Sequence, residues 1–168
     1  GFLTQETDFP FEILVHDDAS TDKTADIIRE YESKYPRLIK PIYQIKNQYS
    51  KNTNISISGK FNIPRSRGKY LMFCEGDDYW ITTIKISNQL SAAFEFDVDL
   101  VFHSVIFKTG DEEVKRNCYG LESRYVSFKE HFRKGPACAP LSSIMIKKEL
   151  LYLVEQKIPG FIENNLSH

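Results

Sequence analysis

LMFCEGDDYW, Leu71 to Trp80, begins as an apolar run, meets Glu75, Gly76, Asp77 and Asp78, and then shows two large aromatics. With Gly68, Lys69 and Tyr70 ahead of it, the run GKYLMFC is short and continuously apolar. That is the pattern of a strand whose two faces are both covered, as in a parallel sheet lined by helices. A second stretch, EILVHDDAS from Glu12 to Ser20, follows the same plan: FEILVH is dense in apolar and β-branched residues, and Asp17 and Asp18 come next, ahead of small turn residues. Two strands therefore deliver acid pairs to one edge, the carboxyl edge at which open α/β sheets bind ligands.

The rest of the chain alternates in the same way. Ser20, Thr21 and Asp22 are capping residues for a helix in which Ile27, Tyr31 and Tyr35 recur every four residues, with Ala25 and Ile28 alongside, and Pro36 closes it. PIYQI, Pro41 to Ile45, reads as a short strand and NQYSKNTN as a surface loop. Ile86, Leu90, Ala93 and Phe94 form a helical stripe, Asp97 to Asp99 a turn, and LVFHSVIF, Leu100 to Phe107, one buried strand. Gly110 to Arg116 reads as a charged turn, and Ser127 with Glu130 has capping-box spacing. LSSIMIK, Leu141 to Lys147, is a strand leading into the helix KELLYLVEQK. The expectation is one α/β domain over residues 1–168, with a mostly parallel sheet flanked by helices.

Composition narrows the function classes. With 22 Lys and Arg against 23 Asp and Glu, interspersed along the chain, no basic face tracks a phosphate backbone, and nucleic acid is not expected as a partner. Cys74, Cys118 and Cys138 are odd in number, widely spaced and lack a CxxC pair, so neither a disulfide framework nor a structural zinc is expected; a reducing cytoplasm fits. No apolar run approaches the roughly 20 residues of a membrane helix. The acceptor patterns at Asn54 and Asn165 are too short to carry weight.

Either acid pair alone is explained by helix capping and turns. Two pairs on one edge repel unless a cation or ligand donors offset them. Mg²⁺ and Mn²⁺ favour oxygen and are held by one or two carboxylates, with phosphate oxygens and water completing the shell. Glu75, Asp77 and Asp78 offer such carboxylates, and neighbouring residues leaving a strand point in different directions, so Asp77 and Asp78 can divide their work.

FEILVHDDASTDKT followed by PRSRGKYLMFCEGDDYW resembles the nucleotide-binding half of family 2 glycosyltransferases of the GT-A fold, well from Phe11 to Asn88 and loosely beyond. The resemblance implies transfer of a sugar from a UDP-sugar to an acceptor hydroxyl with inversion, dependent on Mn²⁺ or Mg²⁺, in bacterial surface polysaccharide synthesis. It implies that Asp18 accepts from the uracil N–H with Asp17 supporting the turn. Asp77 then faces the ribose or sugar and helps hold the metal, and Asp78 holds the metal. Glu75 occupies the first place of a DxD-like motif, where Asp is common. Arg65 matches a basic position near the diphosphate or uracil, with Arg67 and Lys69 as alternatives. Trp80, more than Tyr79, lines the sugar side of the cleft or else packs beneath the next helix. His103 is expected as a core histidine, His16 on the opposite face of its strand, and His131 at the surface.

Three departures accompany the resemblance. Ile81, Thr82 and Thr83 replace the acid and proline that open the next helix; the start GFLTQETDF corresponds to a helix after a first strand that is missing; and the later acidic motif that supplies the general base lies beyond the segment, Glu163 being a weak substitute. The partners implied are a UDP-sugar donor and a saccharide or lipid-linked saccharide acceptor. The location implied is the cytoplasm or the inner face of the membrane, with peripheral membrane association through parts not present. The alternative from another class is a non-catalytic or degenerate nucleotide-sugar-binding module.

Overall fold

The computed structural model describes residues 1–51, 56–116, 118–120 and 122–165. Asn54 lies outside them, as does part of the predicted 47–54 loop. The elements in chain order are β1 (Ile13–Asp17), α1 (Thr24–Lys34), β2 (Ile39–Tyr43), α2 (Ile63–Arg65, entered through a π-type turn Ser58–Asn62), β3 (Tyr70–Met72), α3 (Lys85–Glu95), β4 (Leu100–Val101), β5 (Val105–Thr109), β6 (Glu112–Arg116), α4 (Phe128–Lys134), β7 (Met145–Lys147), α5 (Lys148–Lys157) and α6 (Phe161–Asn165). They form two compact units, Phe9–Lys69 with Lys148–His168 and Gly1–Asp8 with Tyr70–Lys147.

In the unit containing β1, that strand pairs in parallel with β2, from Ile13 opposite Ile39 to Asp17 opposite Tyr43. The second strand thus begins two residues earlier than PIYQI suggests. Helix α1 forms where predicted and ends ahead of Pro36, but it turns a different face inward. Ala25, Ile28 and Glu32 are half-buried, and Glu32 accepts the Tyr43 hydroxyl at 3.0 Å. Ile27, Tyr31 and Tyr35 are exposed. The inward face pairs Ala25 and Ile28 with a glutamate because its partner is a tyrosine that needs an acceptor, which hydrophobic periodicity does not register. Further along, Gly59 is buried so tightly that a Cβ there would stand 1.9 Å from the Ile162 carbonyl oxygen. The Glu155 carboxylate accepts from the amides of Gly160 and Ile162, both at 2.7 Å, and so fixes the start of α6.

In the other unit β7 lies between β3 and β4 and runs antiparallel to both. β3 and β4 therefore share a direction, as the alternation predicts, and β7 is the antiparallel insertion. Met145 and Ile146 of β7 are buried, as are Phe73 and, on α3, Ile86 and Ala93. The predicted strand 100–107 breaks after Val101, and Val105–Thr109 pairs instead with Glu112–Arg116 in a hairpin. The predicted charged turn is thus mostly a strand. Gly110 at φ +61° opens the two-residue connection, a position that glycine enters without a Cβ penalty.

Contrary to the expectation from cysteine spacing, Cys118 and Cys138 form a disulfide, their Cα atoms 5.6 Å apart. The chain between them folds back through α4, a proximity no local motif announces. Ser127 caps α4 by accepting from Glu130 N at 3.2 Å, as predicted, while the Glu130 side chain turns to Arg124 rather than back to the cap. His131, expected at the surface, is half-buried, hydrogen-bonded through Nδ1 to the Tyr119 hydroxyl at 2.6 Å and packed on Phe102.

Candidate functional site

The first acid pair completes β1. Asp17 is buried, and its Oδ1 accepts from Ser20 N at 3.3 Å, closing a turn in which Ala19 takes φ +61°. A left-handed alanine is a strained conformation of the kind that clusters at ligand sites. Asp18 accepts from Gln48 N (2.8 and 3.0 Å) and Tyr49 N (2.9 Å), and its own carbonyl accepts from Asn47 Nδ2 at 2.9 Å. The carboxylate thereby fastens the start of the loop after β2. A carboxylate offers about four lone-pair sites, so these contacts leave capacity for a further donor.

Arg65, at the end of α2, is half-buried. Its Nη2 donates to the carbonyls of Val15 (3.1 Å) and Lys40 (2.8 Å) and to Asn62 Oδ1 (2.8 Å), so it crosses the β1–β2 pair two residues before Asp17. Arg67 is exposed and pairs with Glu12 at 2.9 Å, and Lys69 is exposed. His16 packs edge-on against Phe61 at 4.5 Å; neither ring nitrogen has a partner among the described residues, and burial lowers its pKa.

The second set lies in the other unit. Glu75, Asp77 and Asp78 are all exposed in a turn closed by Asp78 N donating to the Glu75 carbonyl at 3.1 Å. The Cys74 thiol donates to the Asp78 carbonyl at 3.5 Å and is pushed up to about 11, by burial first and by the Asp78 charge next. Tyr79 is exposed, whereas Trp80 is half-buried with Phe2 edge-on at 4.6 Å and its indole N–H without a hydrogen-bond partner among the described residues. Among the described residues no group of three or more His, Cys, Asp or Glu forms a metal cage. Two adjacent exposed carboxylates suit an Mg²⁺ or Mn²⁺ whose remaining ligands are phosphate and water, and do not suit zinc.

Behind this turn stand residues that sequence reasoning passed over. Lys85 is buried at 4 % exposure, its ammonium 4.8 Å from the Trp80 ring centroid and 2.5 Å from Gln89 Oε1. Gln89 Nε2 donates in turn to the carbonyls of Ser143 (2.9 Å) and Val101 (3.3 Å). Desolvation brings the Lys85 pKa down to about 8. The signal was a Lys and a Gln four apart on the face that also carries Ile86 and Ala93. No side chain of the Ile81–Thr83 turn bonds the first amides of α3 strongly. Gln5 does, accepting from Ile86 N at 3.1 Å while its Nε2 donates to the Thr82 carbonyl at 2.6 Å. His103 sits between β4 and β5 rather than inside a strand, its Nδ1 2.7 Å from the Ser104 carbonyl and its Nε2 without a partner among the described residues.

Residues 2–154 match the family model for glycosyl transferase family 2. The chain belongs to that family. A glycosyltransferase of Methanocaldococcus jannaschii, uncharacterised, is 32% identical over 154 residues, 86% of this chain and 47% of that protein. The Escherichia coli UDP-Glc:alpha-D-GlcNAc-diphosphoundecaprenol beta-1,3-glucosyltransferase WfaP is 43% identical over 79 residues, 47% of this chain and 28% of its own length. An uncharacterised protein of Mycobacterium tuberculosis is 45% identical over 92 residues, 54% of this chain and 25% of that protein. The chain thus spans between a quarter and about half of these relatives. No solved structure gives a significant match. Membership brings the GT-A, Rossmann-like fold, with which the mixed α/β architecture agrees, and the family is in general divalent-metal dependent. Among the described residues no helix is long and apolar enough to cross a membrane.

Proposed function

We propose that this chain is the donor-binding part of an inverting glycosyltransferase that takes a UDP-sugar and passes the sugar to a hydroxyl of a saccharide or lipid-linked saccharide. Residues 1–168 are read as one partial GT-A domain. The observation that carries this reading is the pair of acid turns, Asp17–Asp18 at the end of β1 and Asp77–Asp78 after β3, in a chain of this family.

Asp18 accepts from the uracil N–H, and Asp17 holds the strained turn that presents it. Arg65 ties β1 to β2 at Val15 and Lys40 and adds its permanent charge on the diphosphate side. Glu75 shapes the second acid turn through its carbonyl, Asp77 faces the ribose or sugar, and Asp78, with Asp77, holds Mn²⁺ or Mg²⁺. The ion supplies neutralisation of the charge that develops on the departing diphosphate. Trp80 backs the sugar, set in place by Phe2 and Lys85. We assign no residue of this chain as the base that takes the acceptor proton. The WfaP name, with its UDP-glucose donor and diphosphoundecaprenol-linked acceptor, supports the choice of UDP and of a lipid-linked acceptor. The reaction we propose belongs to bacterial surface polysaccharide synthesis, in the cytoplasm or at the inner face of the membrane.

Calorimetric titration of UDP into the protein with Mn²⁺, repeated with chelator and with ADP, tests the reading. Metal-dependent binding selective for uridine is the expected result, lost in Asp78→Asn. A folded protein that binds neither nucleotide would overturn it.

A further inference from the structure

Seven residues, FKEHFRK, make helix α4, and their periodicity sorts them by face. Glu130, His131 and Lys134 turn toward the chain that the disulfide brings round. His131 meets Tyr119, Glu130 pairs with Arg124 at 2.5 Å, and Lys134 bonds the Cys118 carbonyl and lies 4.4 Å from the Tyr119 ring centroid. The opposite side carries Phe128 and Phe132, one turn apart, their rings 5.9 Å between centroids, exposed at 80% and 75%. Next to that stripe, also one turn apart, stand Lys129 and Arg133, both exposed. Tyr125, two residues ahead of the capping Ser127, is exposed at 66%.

Scattered single apolar residues on a surface need no explanation, but an adjacent pair of phenylalanine rings, tilted 32° to one another and this far out of the core, is different. The outward side of α4 holds no acid: its only carboxylate, Glu130, faces inward, with its pKa lowered to about 2, chiefly by the hydrogen bond from Arg124. The basic pair is also local, because the whole chain carries a net charge of −1. Nor are these rings exposed by a fraying end. The Cys118–Cys138 disulfide closes the segment, Ser127 caps the helix, and Gly135 at φ +83° ends it. Aromatic rings beside a basic stripe on a short, fixed amphipathic helix are the composition that lies in a lipid–water interface, rings among the acyl boundary and ammonium and guanidinium groups at anionic headgroups.

We propose that the outward side of α4, Phe128 and Phe132 with Lys129 and Arg133, is a docking face for an anionic lipid bilayer surface. The inference goes beyond the donor reading and does not depend on it. One short helix gives weak, reversible attachment, and two basic residues make that attachment sensitive to salt.

Co-sedimentation of the intact chain with vesicles tests the proposal, using phosphatidylcholine alone and phosphatidylcholine with phosphatidylglycerol. Binding is expected with the anionic vesicles and is expected to fall sharply at high salt. The double variant Phe128→Ser/Phe132→Ser should lose about tenfold or more in partitioning, and Lys129→Glu/Arg133→Glu about thirtyfold or more at roughly 1 kcal/mol per basic group near such a surface. UDP titration and circular dichroism on each variant separate loss of docking from loss of fold, and the charge variant keeps the test open should the serine variant not fold. Three results would each overturn the proposal: no binding to either vesicle; binding indifferent to lipid charge and to both variants; or no vesicle binding together with a dimer in solution that Phe128→Ser/Phe132→Ser dissociates.

Discussion

Replacing Lys85 by methionine isolates an electrostatic cost that the fold carries. The ammonium is taken out of water against the Trp80 ring, with Gln89 as its hydrogen-bond acceptor, and its pKa falls from the ordinary 10.5 to about 8. A base whose pKa is depressed on folding binds fewer protons in the folded chain than in the unfolded one, so stability rises with pH between the two values. At ~1.4 kcal/mol per pH unit the full difference is roughly 3 kcal/mol, of which about 1 kcal/mol is regained between pH 8 and pH 9. Cys74 works in the opposite sense, its thiol pKa being raised from 9.0 to about 11, and that loss has begun by pH 9, taking back roughly 0.4 kcal/mol between pH 8 and pH 9. His16 and His103, both lowered from 6.5, contribute almost nothing further above about pH 8. Urea unfolding followed by circular dichroism at pH 7, 8 and 9 should therefore show wild-type stability climbing by about 0.6 kcal/mol over the last interval, and Lys85→Met should fall slightly there. The absolute stability of the variant is a poorer readout, since methionine removes the buried charge and also strands the Gln89 oxygen. A flat or falling wild-type profile, or a rise that survives in Lys85→Met, would refute the reasoning.

Acid provides the complementary case. His16 and His103 are held neutral by burial, their depressed pKa values making stability complete above pH 6.5 and progressively lost as pH falls below it; the urea midpoint should drop from pH 7 to pH 5, and less so in His16→Phe. Gly59→Ala sets a methyl group 1.9 Å from the Ile162 carbonyl oxygen, a main-chain atom that cannot swing aside, and should lower stability by about 2 kcal/mol or more in thermal unfolding. Cys138→Ser opens a loop spanning a sequence separation of 20 and should cost ~3 kcal/mol, seen as a difference between wild type and variant that vanishes under reducing conditions.

How much of this was legible in the sequence depended on range. β1, α1, α3, α5 and the Ser127 cap follow from local patterns, and they formed where those patterns put them. Asp17, Asp77 and Asp78 follow from the same logic, because a strand end fixes the position of the residue after it. What those side chains touch did not follow. Asp18 meets amides 30 and 31 residues away and Arg65 a carbonyl 50 residues away, pairings set by the β1–β2 register and not by any spacing. Lys85 was missed because a lysine reads as solvent-facing until an acceptor and an aromatic ring are found beside it. The β5–β6 hairpin was announced by Gly110-Asp111 between two short runs, a signal overridden by the apolar continuity of LVFHSVIF.

The chain contains a single tryptophan, Trp80. Its indole is two residues past the Asp77–Asp78 turn, edge-on to Phe2 and beneath a buried ammonium. Intrinsic emission excited at the red edge therefore has one origin, free of any average over several sites. A positive charge over the ring shifts its excited state, so the colour of that emission reports whether the ammonium is seated. The seating of Lys85 on that ring can thus be followed in unlabelled protein, at native concentration, and resolved in time.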